Sequence, residues 1–131
     1  MDDLLRSIRN NRQNVFLIMT VCVLYSLNNL LIKPMSQGLL HYFFVCYFND
    51  LLAPVFMLSY SNIFLGTKDL KLTKPAHILL FTIVMGCIWE FAAPYLKKRS
   101  VTDPYDFVCY VLGSFLYMGL TNGTTKNYRS T

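Results

Sequence analysis

The stretch Gly86–Ser114 runs GCIWEFAAPYLKKRSVTDPYDFVCYVLGS. Two apolar runs meet in it across the basic turn Lys97-Lys98-Arg99. One acid, Glu90, lies inside the first run, and two more, Asp103 and Asp106, open the second. A charge at the centre of a membrane helix costs roughly 2.5–3.5 kcal/mol on insertion scales, and less near an end. Acids in such a setting need a partner or a purpose.

The whole chain has this apolar character. Of its 131 residues 54% are hydrophobic and only 15% charged. Its mean hydropathy is +0.39, whereas about a quarter of the residues in soluble domains are charged. The spacing predicts an all-α, polytopic membrane protein of one domain, four transmembrane helices in an antiparallel bundle. The spans are about 15–32, 39–65, 76–96 and 104–120. Lys33-Pro34 is expected to end the first, because a residue before proline is pushed out of helical geometry. The turn from Pro34 to Gly38 is short, so the second span should pack antiparallel to the first. Asn49-Asp50 and Pro54 should break the second span, and Thr67 to Pro75 reads as a water-facing loop. Asp103 is the expected N-cap of the fourth span, with Pro104 at its first position and Asp106 at its third. Beyond Thr121 the tail reads as polar and frayed.

Leu4, Leu5 and Ile8 before the first span fit a short amphipathic helix on the membrane surface. A secretory signal peptide competes with this reading. No A-x-A-like site closes the apolar run, so a retained helix is expected. The N-terminal flank, the second loop and the tail carry eight Lys and Arg, against four in the first and third loops. This count predicts a multi-pass protein of the cell membrane with both termini cytoplasmic. The net charge of +5 is read as a cationic flank facing anionic lipid. No nucleic-acid partner is expected. Cys22, Cys46, Cys87 and Cys109 each lie in an apolar run, without C-x-x-C spacing, and read as packing residues.

Depth arithmetic then gathers the polar residues. Glu90 lies ~9 Å from the surface bearing the third loop, and Asp50 roughly 15 Å in from the same side. Asp106 begins the fourth span there, Asn28 and Asn29 end the first there, and His41 faces the same way. All the intramembrane polar groups are thereby expected in one half of the bilayer. Asp50 and Glu90 are each followed at the fourth position by a proline, Pro54 and Pro94. Proline donates no hydrogen bond, so each acid's own carbonyl is freed.

The expected site is a cavity of Asp50, Glu90 and Asp106, with Asn49 and Tyr110 sharing it and Lys97 and Arg99 on its rim. Asp106, Tyr110 and Gly113 should lie along one helix face. Glu90 paired with Lys97 or Arg99, and Asp103 and Asp106 as simple caps, are the plainer alternatives. No nucleophile–base motif or phosphate loop is present. No cofactor is expected, although a divalent cation held by Asp50, Glu90 and Asp106 is compatible with their oxygens.

Asn49-Asp50 with Pro54, Trp89-Glu90 before Arg99, and Asp103-Pro104-Tyr105-Asp106 leading to Gly113 resemble the VanZ-like family of small bacterial membrane proteins, over residues 40–120. The chain departs from the family pattern at Pro94, where a Gln is usual, and at Tyr110, where an Asn is common. The resemblance implies a role in the cell envelope; the founding member is associated with low-level resistance to the glycopeptide teicoplanin. The expected function is binding of an envelope-lipid head group or an amphipathic antimicrobial in the outer-half acidic cavity, with resistance or an accessory role as its consequence. Two other classes stay open. One is a structural subunit of a larger membrane complex or oligomer, and the other a metal-dependent enzyme on a lipid-linked substrate.

Overall fold

A computed structural model describes residues 1–66, 70–96 and 103–129. Among them the chain is all-helical. The elements are α1 (Asp2–Asn10), α2 (Arg12–Leu27), a π-helical turn (Asn28–Ile32), α3 (Lys33–Met35), α4 (Gly38–Cys46), α5 (Phe48–Leu65), α6 (Pro75–Leu96) and α7 (Pro104–Arg129). Three helical stretches are long and apolar enough to cross a membrane: Arg12–Met35, Gly38–Leu65 and Pro75–Leu96. They leave large apolar side chains on the surface, among them Phe16, Leu30, Leu39 and Phe91. Water does not favour such faces, whereas hydrocarbon accepts them. The architecture is thus consistent with a membrane protein. Helix α7 is not among the three, because Tyr105, Asp106, Tyr110 and Tyr117 dilute its apolar run.

Several boundaries differ from expectation. The first span does not stop at Lys33-Pro34. It passes through both residues to Met35 by way of the π turn, in which the Lys33 N–H bonds back to the Asn28 carbonyl, five residues earlier. Lys33 keeps helical angles there (φ −57°, ψ −48°). A turn with one residue to spare has altered carbonyl pairing, and proline is accommodated at such places. Reversal follows at Ser36 and Gln37, both extended, and Gly38 takes φ +70°, a left-handed value that suits glycine. The second span is interrupted at Tyr47 (φ −108°, ψ −26°), ahead of Asn49-Asp50, and Pro54 lies inside the otherwise continuous α5. The tail continues α7 as far as Arg129 rather than fraying at Thr121. Thr121 Oγ1 bonds the Tyr117 carbonyl and Gln13 Nε2 donates to the Leu120 carbonyl, holding that turn.

Packing centres on α5. Helix α2 lies against it in the opposite direction, since Asn28 meets Asn49 at one end while Ser7, just before α2, meets Ile63 at the other. Helix α7 packs on α5 in the same direction, with Gly113 on Leu51 and Pro54 and Tyr117 on Asn62. Helix α6 runs antiparallel to α7, placing Gly86 on Phe107 and Tyr110 and Thr82 on Ser114. The closest neighbours of the fold therefore include a parallel pair. The long helices α2, α5, α6 and α7 alternate in direction along the chain, so α5 and α7 are parallel by that alternation, and the two pack directly on each other. Leu17, Val21, Leu52, Val55, Leu58, Ile78, Tyr117 and Met118 form the core. Small residues allow the approach: Ser59 and Ser114 are fully buried, and Gly113 has no room for a side chain.

Candidate functional site

The end where α5 and α7 begin gathers most of the expected site residues. Its foundation is Asn28, whose side chain is fully buried in the π turn. Asn28 Nδ2 donates to the Phe44 carbonyl at 3.0 Å and to Asn49 Oδ1 at 3.0 Å. Phe44 lies in the last turn of α4, where carbonyls lack helical partners, so the amide answers the break at Tyr47. Asn28 is thus an interior strut rather than a helix-end signal. Its Oδ1 is buried without a hydrogen-bond partner among the described residues. Asn29 stays outside, bonding the Tyr25 carbonyl and accepting from Lys33 Nζ at 2.7 Å.

Asp50 follows Asn49 as the third residue of α5 and is half-buried. Asp106 holds the same position in α7. Asp103 is the N-cap of α7, as its spacing predicts: its Oδ1 accepts the Tyr105 N–H at 3.0 Å. Tyr47 at the α4–α5 break reaches Asp103 Oδ2 at 3.4 Å and meets the Tyr105 ring edge-on. Glu90 contributes from α6, half-buried. The carboxyl groups of Asp106 and Glu90 both act electrostatically on Asp50, and Lys33 acts on it with the opposite sign. Glu90 and Asp103 act in turn on Asp106. Among the described residues, the carboxyl groups of Asp50, Glu90 and Asp106 make no hydrogen bond or ion pair.

Tyr110 is buried one turn beyond Asp106, edge-on to Phe107, and its hydroxyl lies in the field of Asp50, Asp106 and Glu90. Gly86 of α6 lets this ring in, since a Cβ there would meet Tyr110 Cδ2 at 3.2 Å. Gly113 performs the same service on the α5 side, where a Cβ would meet the Leu51 carbonyl and Pro54 Cγ at 2.9 Å. The structure therefore brings Asn49, Asp50, Glu90, Asp106 and Tyr110 to one end. Lys97 and Arg99, with the pairing proposed for Glu90, lie outside the described residues. His41 is exposed and shares a hydrogen bond with Ser36 at 3.0 Å. The four cysteines are free. Among the described residues no group of three or more His, Cys, Asp or Glu is arranged to hold a metal ion.

The expectation that all intramembrane polar groups share one half does not hold. The opposite end contains a buried polar network that the depth arithmetic left out. Tyr117 Oη donates to Asn14 Oδ1 at 2.8 Å and accepts from Asn62 Nδ2 at 2.7 Å. Asn62 also clasps Leu72 through both its N–H and its carbonyl, at 2.6 and 3.1 Å. That grip draws part of the expected water-facing loop onto the core. Asn11 Nδ2 donates to the Ser7 carbonyl, and Ser7 Oγ donates to the Ile63 carbonyl at 2.7 Å. The sequence carries a signal for half of this network. Ser7, Asn11 and Asn14 recur at i, i+4 and i+7, the spacing of one helix face.

No family model, curated protein or solved structure matches the chain.

Proposed function

We propose that the chain is a four-span membrane protein of the cell envelope, with α7 as the fourth span, and that its acid-bearing end binds a cationic or hydroxyl-rich head group. The ligand class is an envelope lipid or an amphipathic glycopeptide antimicrobial, in line with the VanZ-like resemblance. The single observation behind this reading is that three helices contribute Asp50, Glu90 and Asp106 to one electrostatic neighbourhood around the Tyr110 hydroxyl. Carboxylates without partners among the described residues suit amines and hydroxyls, because hydrogen bonds to an ionised acceptor are the strong ones. Asn49, already bound to Asn28, would hold the floor of the site. Lys97 and Arg99 would meet an anionic part of the ligand from the rim.

The test uses the full chain in lipid nanodiscs with teicoplanin as the probe. Asp50→Asn and Glu90→Gln should each weaken teicoplanin binding about tenfold, on the scale of one lost charged hydrogen bond, without changing membrane abundance. Unchanged binding in both variants would sink the proposal.

A further inference from the structure

At the opposite end, α1 and α2 meet in an elbow at Asn11 (φ −112°, ψ 34°). The elbow is fixed from inside. Ser7, Asn11 and Asn14 are buried, and Ser7 Oγ ties it to the Ile63 carbonyl of α5. The same elbow presents an open groove lined by Ile8, Arg9, Arg12, Val15, Phe16 and Met19. Arg9 and Arg12 are exposed, and neither is in an ion pair among the described residues.

The order of this lining matters. Arg12 is the first residue of a stretch long and apolar enough to cross a membrane, so the guanidinium groups stand at its polar edge. Val15, Phe16 and Met19 continue from them along the span, with Phe16 71% and Met19 62% exposed. A cationic head followed by an apolar wall is the complement of a phospholipid whose net charge is negative. Guanidinium matches phosphate oxygens through paired hydrogen bonds as well as charge.

We infer that the α1–α2 elbow is a binding site for one anionic phospholipid, with its phosphate on Arg9 and Arg12 and an acyl chain along Val15, Phe16 and Met19. This differs from general attraction to a charged surface, which would treat every flanking cation alike. Arg6 supplies the contrast, being exposed on the same helix but absent from the groove lining. The inference does not depend on the acid-bearing end.

The experiment places the full chain in nanodiscs of phosphatidylcholine containing phosphatidylglycerol and reads retained lipid by native mass spectrometry. Arg9→Gln and Arg12→Gln should each lower phosphatidylglycerol retention more than about tenfold, since each loses a charge-assisted hydrogen bond to phosphate as well as general attraction. Arg6→Gln removes the same charge without that contact and should lower it no more than about fivefold, the worth of one basic residue near an anionic surface. All three side chains are exposed, so circular dichroism should show the helices intact. Equal losses in the three variants, or no loss at Arg9 and Arg12, would overturn the site. Displacement of the lipid by millimolar glycerol phosphate would overturn the acyl-chain half of the assignment.

Discussion

The two ends of the helices handle polarity in opposite ways. At the end built on Asn14, Asn62 and Tyr117, each of these side chains is bonded within the chain, and the network binds α1, α2, α5, α7 and the loop at Leu72 together. At the end built on Asn28 and Asn49, among the described residues, the side chains of three acids stand near one another without such bonds, and the buried Asn28 Oδ1 has no partner. A satisfied buried network rigidifies a fold, while an unsatisfied group lowers stability by about 1–3 kcal/mol. One end holds helices together through side chains bonded to each other, and the acids of the other make no such bonds among the described residues. Polar residues in an apolar protein are therefore best sorted by whether the chain answers them.

The largest effect should come from the close contact between α7 and α5. Gly113→Ala offers about 1 kcal/mol of helix propensity, but its Cβ would press on the backbone carbonyl of Leu51 and on Pro54 Cγ at 2.9 Å. Backbone cannot give way as a side chain can, so the clash should prevail. A net loss of about 2–3 kcal/mol is expected, read as a lower midpoint in denaturant titration of the detergent-solubilised protein. Tyr117→Phe should follow, at about 1–2 kcal/mol, because Asn14 Oδ1 loses its donor in a buried place. Asp50→Asn should have the smallest effect on stability, within about 1 kcal/mol and in the stabilising direction, since it removes a charge from among like charges. If Asp50→Asn weakens the fold as much as Tyr117→Phe does, both ends are structural and the contrast collapses.

Much of this was readable from the residues. Apolar run lengths located the helices, and Asp103-Pro104 with Asp106 marked the start of α7. Alternation of direction carried Asp50, Glu90 and Asp106 to the same end. The π turn was not readable, because nothing in Asn28–Ile32 differs by composition from an α-helical run, and only pairing of the Lys33 N–H reveals it. Preference for the parallel α5–α7 pair was hidden as well. It depends on the fit of Gly113 to the Pro54 region of α5, a match between two residues 59 positions apart. Asn62 is not legible from the sequence, because an isolated amide in an apolar run carries no spacing and its partners, Tyr117 and Leu72, come from elsewhere in the chain.

The beginning of α7 has an electrical consequence. It carries roughly half a positive elementary charge from aligned peptide dipoles, whereas the beginning of α5 abuts the end of α4 across Tyr47, where opposite partial charges largely cancel. Asp106, third in α7, is a countercharge to that field, and Asp50 at the α4–α5 junction is not. Glu90 receives no such help. It lies six residues before the end of α6, outside the reach of a dipole that fades within one turn.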